Sequence, residues 1–159
     1  PLDLYDNPAN TFVAGFIGSP RMNFLPATVV SQGENDVTLV TQQMNGALTV
    51  RVAGQRSLAV GEPLTLGIRP DQLRIVAVGV GHLTGTIRLM ERLGTESHAH
   101  VALEDGTALV VITDGGHPGR AHDRIGLMIR PDAAHAFTAD GIALPRQLDA
   151  ETRQLIQHG

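Results

Sequence analysis

Leu64-Thr65-Leu66-Gly67-Ile68-Arg69-Pro70-Asp71-Gln72-Leu73 is the stretch that decides the fold. Leu64, Leu66 and Ile68 alternate with Thr65, Gly67 and Arg69, the two-residue period of a strand with one buried face. Pro70 fixes φ near −65° and has no N–H to give a ladder, so the strand must stop there. The same words return in Ile129-Arg130-Pro131-Asp132, after the apolar run Ile125-Gly126-Leu127-Met128. Each copy follows a short polar connection, Val60-Gly61-Glu62 in one case and His122-Asp123-Arg124 in the other. The repetition with matching flanks predicts two related β units, each ending in a strand and an Ile-Arg-Pro-Asp turn.

Outward from these turns the pattern stays that of short strands. Alternation and turn residues place strands near 24–31, 36–41, 47–52, 63–69 and 73–78 in a first unit. A second unit has them near 83–92, 96–103, 108–112, 125–130 and 135–138. Gln32-Gly33-Glu34-Asn35, Asn45-Gly46 and Glu104-Asp105-Gly106 supply the turns, Asp105-Gly106 being the clearest hairpin signal. Gly79-Val80-Gly81 reads as the joint between two lobes, about 23–78 and 83–138, and 115–120 as a loop. Many short strands with no long helix between them predict an all-β barrel or sandwich.

Residues 1–25 have a different character. Asn7 suits an N-cap and Pro8 the first helical position, and Phe12, Val13, Phe16 and Ile17 then share one helical face. Gly18-Ser19-Pro20 ends this short helix. Its apolar stripe either caps the domain's own core or packs on a partner outside the chain. The tail from Asp149 to Gln157 has helix-forming residues with a weak apolar face.

Composition excludes several functions. A chain of 159 residues with 42% hydrophobic residues can bury a core, and its apolar runs are too short to span a bilayer. Cysteine is absent, which removes disulfides and thiolate metal sites. All 12 basic residues are arginine, and the net charge of −4 does not suit a nucleic-acid surface. Four of the five aromatic residues precede position 25, so no base-stacking platform is expected in the body of the domain. A Walker A loop needs a lysine, and the chain has none. Neither a Gly-x-Ser-x-Gly elbow nor a His-Glu-x-x-His helix occurs. His98 and His100 would share one strand face, near enough for one metal ion, but spacing fixes no third ligand. His117 and His122 flank a glycine loop and read as solvated. Glu91 and Glu96 bracket Leu93-Gly94-Thr95, where a solvated turn is commoner than an acid–base pair. Arg69–Asp71 and Arg130–Asp132 read as turn-stabilising pairs. No catalytic, cofactor-binding or metal residues are assigned.

The segment Phe12-Val13-Ala14-Gly15-Phe16-Ile17-Gly18-Ser19-Pro20-Arg21-Met22-Asn23-Phe24-Leu25 resembles the junction in ATPase subunits of sugar-importing ABC transporters of the maltose and glycerol-phosphate type. In that family it joins the nucleotide-binding domain to a C-terminal regulatory domain. Gly67-Ile68-Arg69-Pro70-Asp71 is similar to the regulatory domain's Gly-Ile-Arg-Pro-Glu segment, with Asp for Glu. Glu91-Arg92-Leu93-Gly94-Thr95-Glu96 resembles its Glu-x-Leu-Gly-x-Glu strand, and His135-Ala136-Phe137 its His-Leu-Phe ending. The resemblance covers roughly residues 1–141; the second Ile-Arg-Pro-Asp falls where the family varies, and the 115–122 loop has no counterpart.

The resemblance implies an oligonucleotide/oligosaccharide-binding (OB) type barrel of the transport-associated kind over 20–145, followed by a tail at 146–159. Residues 1–19 would then be the end of an ATPase domain, with Phe12, Val13, Phe16 and Ile17 packing on its body, so the chain is expected to be a piece of a longer protein. It also implies a homodimer, membrane permeases as partners, ATP and Mg in the intact subunit only, and a cytoplasmic place beside the inner membrane. Gly67, Arg69, Pro70, Asp71, Glu91, Gly94 and Glu96 are its motif positions here, and none is catalytic. The alternative is a small-ligand sensor for oxyanions, which related barrels bind through backbone N–H groups; direct membrane insertion and nucleic-acid binding are not expected.

Overall fold

The computed structural model describes residue 10 and residues 20–53 and 56–146. The expected helix with Phe12, Val13, Phe16 and Ile17, and the tail, lie outside the described residues. Among the described residues ten strands follow one another: β1 (Asn23–Gln32), β2 (Asp36–Val40), β3 (Leu48–Arg51), β4 (Pro63–Ile68), β5 (Leu73–Val76), β6 (Leu83–Arg92), β7 (Glu96–Leu103), β8 (Ala108–Asp114), β9 (Arg124–Ile129) and β10 (His135–Thr138). Both Ile-Arg-Pro-Asp segments end their strand at the isoleucine and open a single 3-10 turn, Pro70–Gln72 and Pro131–Ala133. The missing proline N–H sits where a helical first turn has no use for it.

The strands form two five-stranded antiparallel sheets, ordered β10-β4-β1-β2-β3 and β5-β9-β6-β7-β8. The two orders are one pattern written twice, with the fifth strand of each unit exchanged. The expected lobes of 23–78 and 83–138 therefore end on strands that pair in the opposite sheet. After the first turn β5 pairs with β9, and after the second β10 pairs with β4. The first turn packs on β8 and the second on β3, while the edge strands β5 and β8 lie side by side, so the second sheet curls towards closure. This is an all-β, two-lobed OB-type architecture.

Equivalent irregularities confirm the duplication. Both long strands carry a bulge, between Val29 and Ser31 in β1 and between Ile87 and Leu89 in β6. At the first bulge Val29 bonds with Gly61 and Glu62; at the second, Ile87 bonds with His122 and Asp123 in the same manner. His122 therefore occupies the place of Gly61, and it has a φ of 76° where the glycine has 88°. Few non-glycine side chains accept that conformation.

Alternation becomes burial as the strand period requires. Leu64, Leu66, Ile68, Leu127 and Ile129 join Val29, Leu39, Leu83, Ile87 and Leu109 in one core shared by both sheets. A smaller cluster lies on the other face of β4, where Met22 and Phe137 pack with Phe24 and Ala143. Phe24 meets Phe137 edge to face at 6.0 Å, a favoured aromatic arrangement.

Candidate functional site

Two groups of motif residues emerge from this framework. The first surrounds the joint after β4. Gly67 lies between Phe24 of β1 and His135 of β10, on the face that carries the small cluster. A Cβ placed there would meet Met22 Sδ at 2.6 Å and Phe137 Cε2 at 2.8 Å. The position has an ordinary φ, so its glycine is explained by close packing. Pro70 is buried and Arg69 only 4% exposed, whereas Asp71 is exposed. Arg130 and Asp132, their counterparts, form an exposed ion pair at 3.6 Å. The two repeats thus look alike in sequence and differ in burial: Arg69 and Pro70 are buried where the first turn packs on β8, whereas Arg130, Pro131 and Asp132 are exposed beside β3.

Buried beside this joint is His135. Arg146 Nη1 donates to its Nε2 at 3.5 Å and Nη2 to the Asp132 carbonyl at 3.1 Å. Burial, and then the charges of Arg146 and Arg69, push the imidazole down to about 4, so at neutral pH it is an uncharged acceptor. Its ring stacks on Phe137 at 6.5 Å. His135 was legible in the sequence as part of a motif, but the Arg146 guanidinium beside it was not.

The second group lies at the end of the β6–β7 hairpin. Gly94 supplies a φ of 94° in the turn. His98 and His100 do share the outer face of β7, but each has its own carboxylate. Glu96 Oε1 is 3.4 Å from His98 Nε2, and Glu91 Oε1 is in close contact with His100 Nε2. The four side chains form two lateral pairs and do not converge on a point. Among the described residues no three of His, Cys, Asp or Glu are placed to hold a metal ion. Arg92 extends across the 115–119 loop and donates to the carbonyls of His117 and Gly119 at 2.9 Å each. The buried Ser97 hydroxyl bonds Gly115 at 3.3 Å. This loop is therefore tied to the hairpin by side chains that the sequence reading passed over.

A cavity of about 250 Å³ opens near Gln32, Val52, Leu58, Leu144 and Pro145. Its walls are mostly apolar, and the Gln32 amide is already engaged with Arg56 and Leu58. The groups gathered at these places suit packing and surface recognition; they offer no nucleophile–base pair in bonding geometry.

Residues 18–73 match the MalK OB fold domain, and residues 66–137 match the TOBE domain. The chain thus carries the MalK OB fold and TOBE domains. The TOBE/OB region is a non-catalytic C-terminal domain of ABC ATPase subunits, and the overlap of the two matches falls at the joint after β4. Over 146 residues the chain is 42% identical to the sn-glycerol-3-phosphate import ATP-binding protein UgpC of Cereibacter sphaeroides, covering 88% of this chain and 36% of that protein. It is 36% identical to the lactose transport ATP-binding protein LacK of Rhizobium radiobacter, over 89% of this chain and 39% of LacK. With the maltose/maltodextrin import protein MalK of Mannheimia succiniciproducens the identity is 35%, over 92% of this chain and 40% of MalK. The chain thus spans about two fifths of these relatives' length.

Among solved structures, the molybdate-bound form of the cytoplasmic molybdate-binding protein ModG aligns with a TM-score of 0.56 at 19% identity, over 73% of this chain and 95% of ModG. That likeness concerns the fold. Among the described residues of this TOBE domain, no helix is long and apolar enough to cross a membrane.

Proposed function

We propose that this chain is the regulatory and dimerisation module of the ATP-binding subunit of an ABC importer for sugars or related solutes. The observation that carries the reading is the match in order across 18–137, together with relatives named for lactose, glycerol 3-phosphate and maltose import. In this reading residues 1–19 end an upstream ATPase domain, residues 20–145 form the module, and 146–159 are its tail. ATP and Mg bind upstream, permease subunits couple to the parent, and the assembly lies on the cytoplasmic side of the inner membrane. Gly67, Arg69, Pro70 and Asp71 build the inter-sheet joint, and Glu91, Gly94 and Glu96 shape the outer hairpin. None of them takes part in hydrolysis.

Two copies would meet barrel to barrel. Light scattering on the chain, and on a version beginning at Arg21, tests this. Dimers from both place the interface on the barrels, whereas a dimer only from the longer one places it on Phe12, Val13, Phe16 and Ile17. Monomers from both at tens of micromolar, about −6 kcal/mol of association not reached, refute self-association by the module.

A further inference from the structure

The junction motif contains a buried polar residue, Asn23, that the proposed function does not use. Asn23 begins β1, is 7% exposed, and reaches β8, the last strand in the order of the other sheet. Its Nδ2 donates to the Val110 carbonyl at 2.8 Å, and its Oδ1 accepts from the Val110 N–H at 2.9 Å. Val110 lies opposite His100 on β8, the edge strand of the second sheet. A primary carboxamide places an N–H donor and a carbonyl acceptor side by side. Asn23 thus presents to β8 what a neighbouring strand would present, and it covers a backbone donor and acceptor that would otherwise need water.

A second tie runs the other way. His82, just before β6, accepts from Asn45 N–H at 2.7 Å through its carbonyl, and Asn45 lies between β2 and β3 of the first sheet. The ring of His82 also accepts at Nδ1 from Ile129 N–H at 3.0 Å. The start of each unit is therefore bonded to the far hairpin of the opposite sheet. The two ties differ in kind: one uses backbone groups only, and the other depends on a single side chain.

We propose that Asn23 is a latch that couples the start of β1, at the end of the junction motif, to β8 and thereby to the outer face bearing His98 and His100. A displacement of the junction strand is passed to that face through two hydrogen bonds, and loss of the amide uncouples them. The latch itself rests on geometry alone. Its role in relaying movement of an upstream domain rests on the regulatory reading above.

Hydrogen exchange on the whole chain tests the latch. Removing both bonds with Asn23→Ala should raise exchange at Val110 by up to about tenfold, the value of a net hydrogen bond at the upper end of its range. Exchange at Leu127 and Val37, in the body of each sheet, should stay as in the parent. Asn23→Asp keeps the acceptor and loses the donor, so it should give a smaller rise at Val110 and serves if the alanine variant folds poorly. Met22→Ala loosens the packing beside Asn23; it should raise exchange at Val110 in the parent and add nothing when Asn23 is alanine. Unchanged exchange at Val110, or a rise no larger than at Leu127 and Val37, overturns the latch. Fully additive effects of Met22→Ala and Asn23→Ala overturn the coupling. Neither result bears on whether an ATPase domain precedes the chain, so the two readings fail separately.

Discussion

Replacing Gly67 by alanine should destabilise the protein although the change is, on backbone grounds, favourable. Glycine to alanine at an ordinary φ restricts the unfolded chain and contributes about 0.4–1 kcal/mol to stability. Against this stands the space: the new methyl would lie 2.6 Å from Met22 Sδ and 2.8 Å from Phe137 Cε2. Met22 is flexible and can yield; Phe137 is 0% exposed and held by Phe24 and His135, so its ring cannot. Overpacking a close-packed site costs about 1–3 kcal/mol. The net effect should be a loss of about 1–2 kcal/mol, or a Tm lower by about 2–8 °C for a domain of this size. Urea melts of four proteins check the cause: parent, Gly67→Ala, Met22→Ala and the double variant. Met22→Ala alone leaves a cavity and costs about 2–5 kcal/mol. In that background the methyl partly refills the space, so Gly67→Ala should become neutral or stabilising, a strong coupling between neighbours. The reasoning is refuted if Gly67→Ala is harmless in the parent, or costs the same in both backgrounds.

Other predictions follow from the same geometry. Ile68→Asp buries a charge in the shared core and should unfold the chain, whereas Thr65→Asp, on the opposite and less buried face, should shift thermal melting much less; equal shifts would invert the strand phase. His135 is held neutral with its folded value at about 4, below the ordinary 6.5, so the unfolded state binds more protons between those limits. Stability should be full above pH 6.5 and fall by about 3 kcal/mol as pH drops from 6.5 to 4. His135→Gln should flatten that part of the urea-midpoint profile, and an unchanged slope would remove His135 as its cause. His122→Gly should raise the Tm by a few degrees, since an αL conformation costs a non-glycine residue about 1–2 kcal/mol and only part is lost to glycine's freedom; a lower Tm would refute the equivalence with Gly61. The chain alone should neither bind nor hydrolyse ATP, because it has no lysine for a phosphate loop; saturable binding with hydrolysis would contradict the regulatory reading.

The strands were legible because their information is local. Alternation in Leu64–Ile68 and the proline at position 70 fix a face and an end without reference to distant residues, as do Asp105-Gly106 and Gly94 for their turns. Partners are another matter. Nothing in Leu73–Val76 says that it pairs with β9 and not with its own unit, because alternation specifies which side is buried and not beside whom. The exchange depends on the direction in which the Pro70 and Pro131 turns send the chain. The same limit hid the Asn23–Val110 pair, whose members lie far apart in sequence, and the approach of Arg146 to His135. Gly67 was visible as a motif residue, but its reason, Met22 and Phe137 resting on the backbone, lies in the packing. For His98 and His100 the shared face was readable, and Glu96 lies only two residues from His98 on the same strand, while the pairing of Glu91 with His100 needed the register of β6 against β7.

The account rests most heavily on the claim that this TOBE domain is the C-terminal part of an ATP-binding subunit. Sequencing the coding region upstream of Pro1 tests it most directly. The account predicts an open frame continuous with the chain that encodes a Gly-x-x-x-x-Gly-Lys-Ser/Thr phosphate loop following a strand. A frame that opens on an unrelated domain, or one with a stop codon just before Pro1, would contradict it.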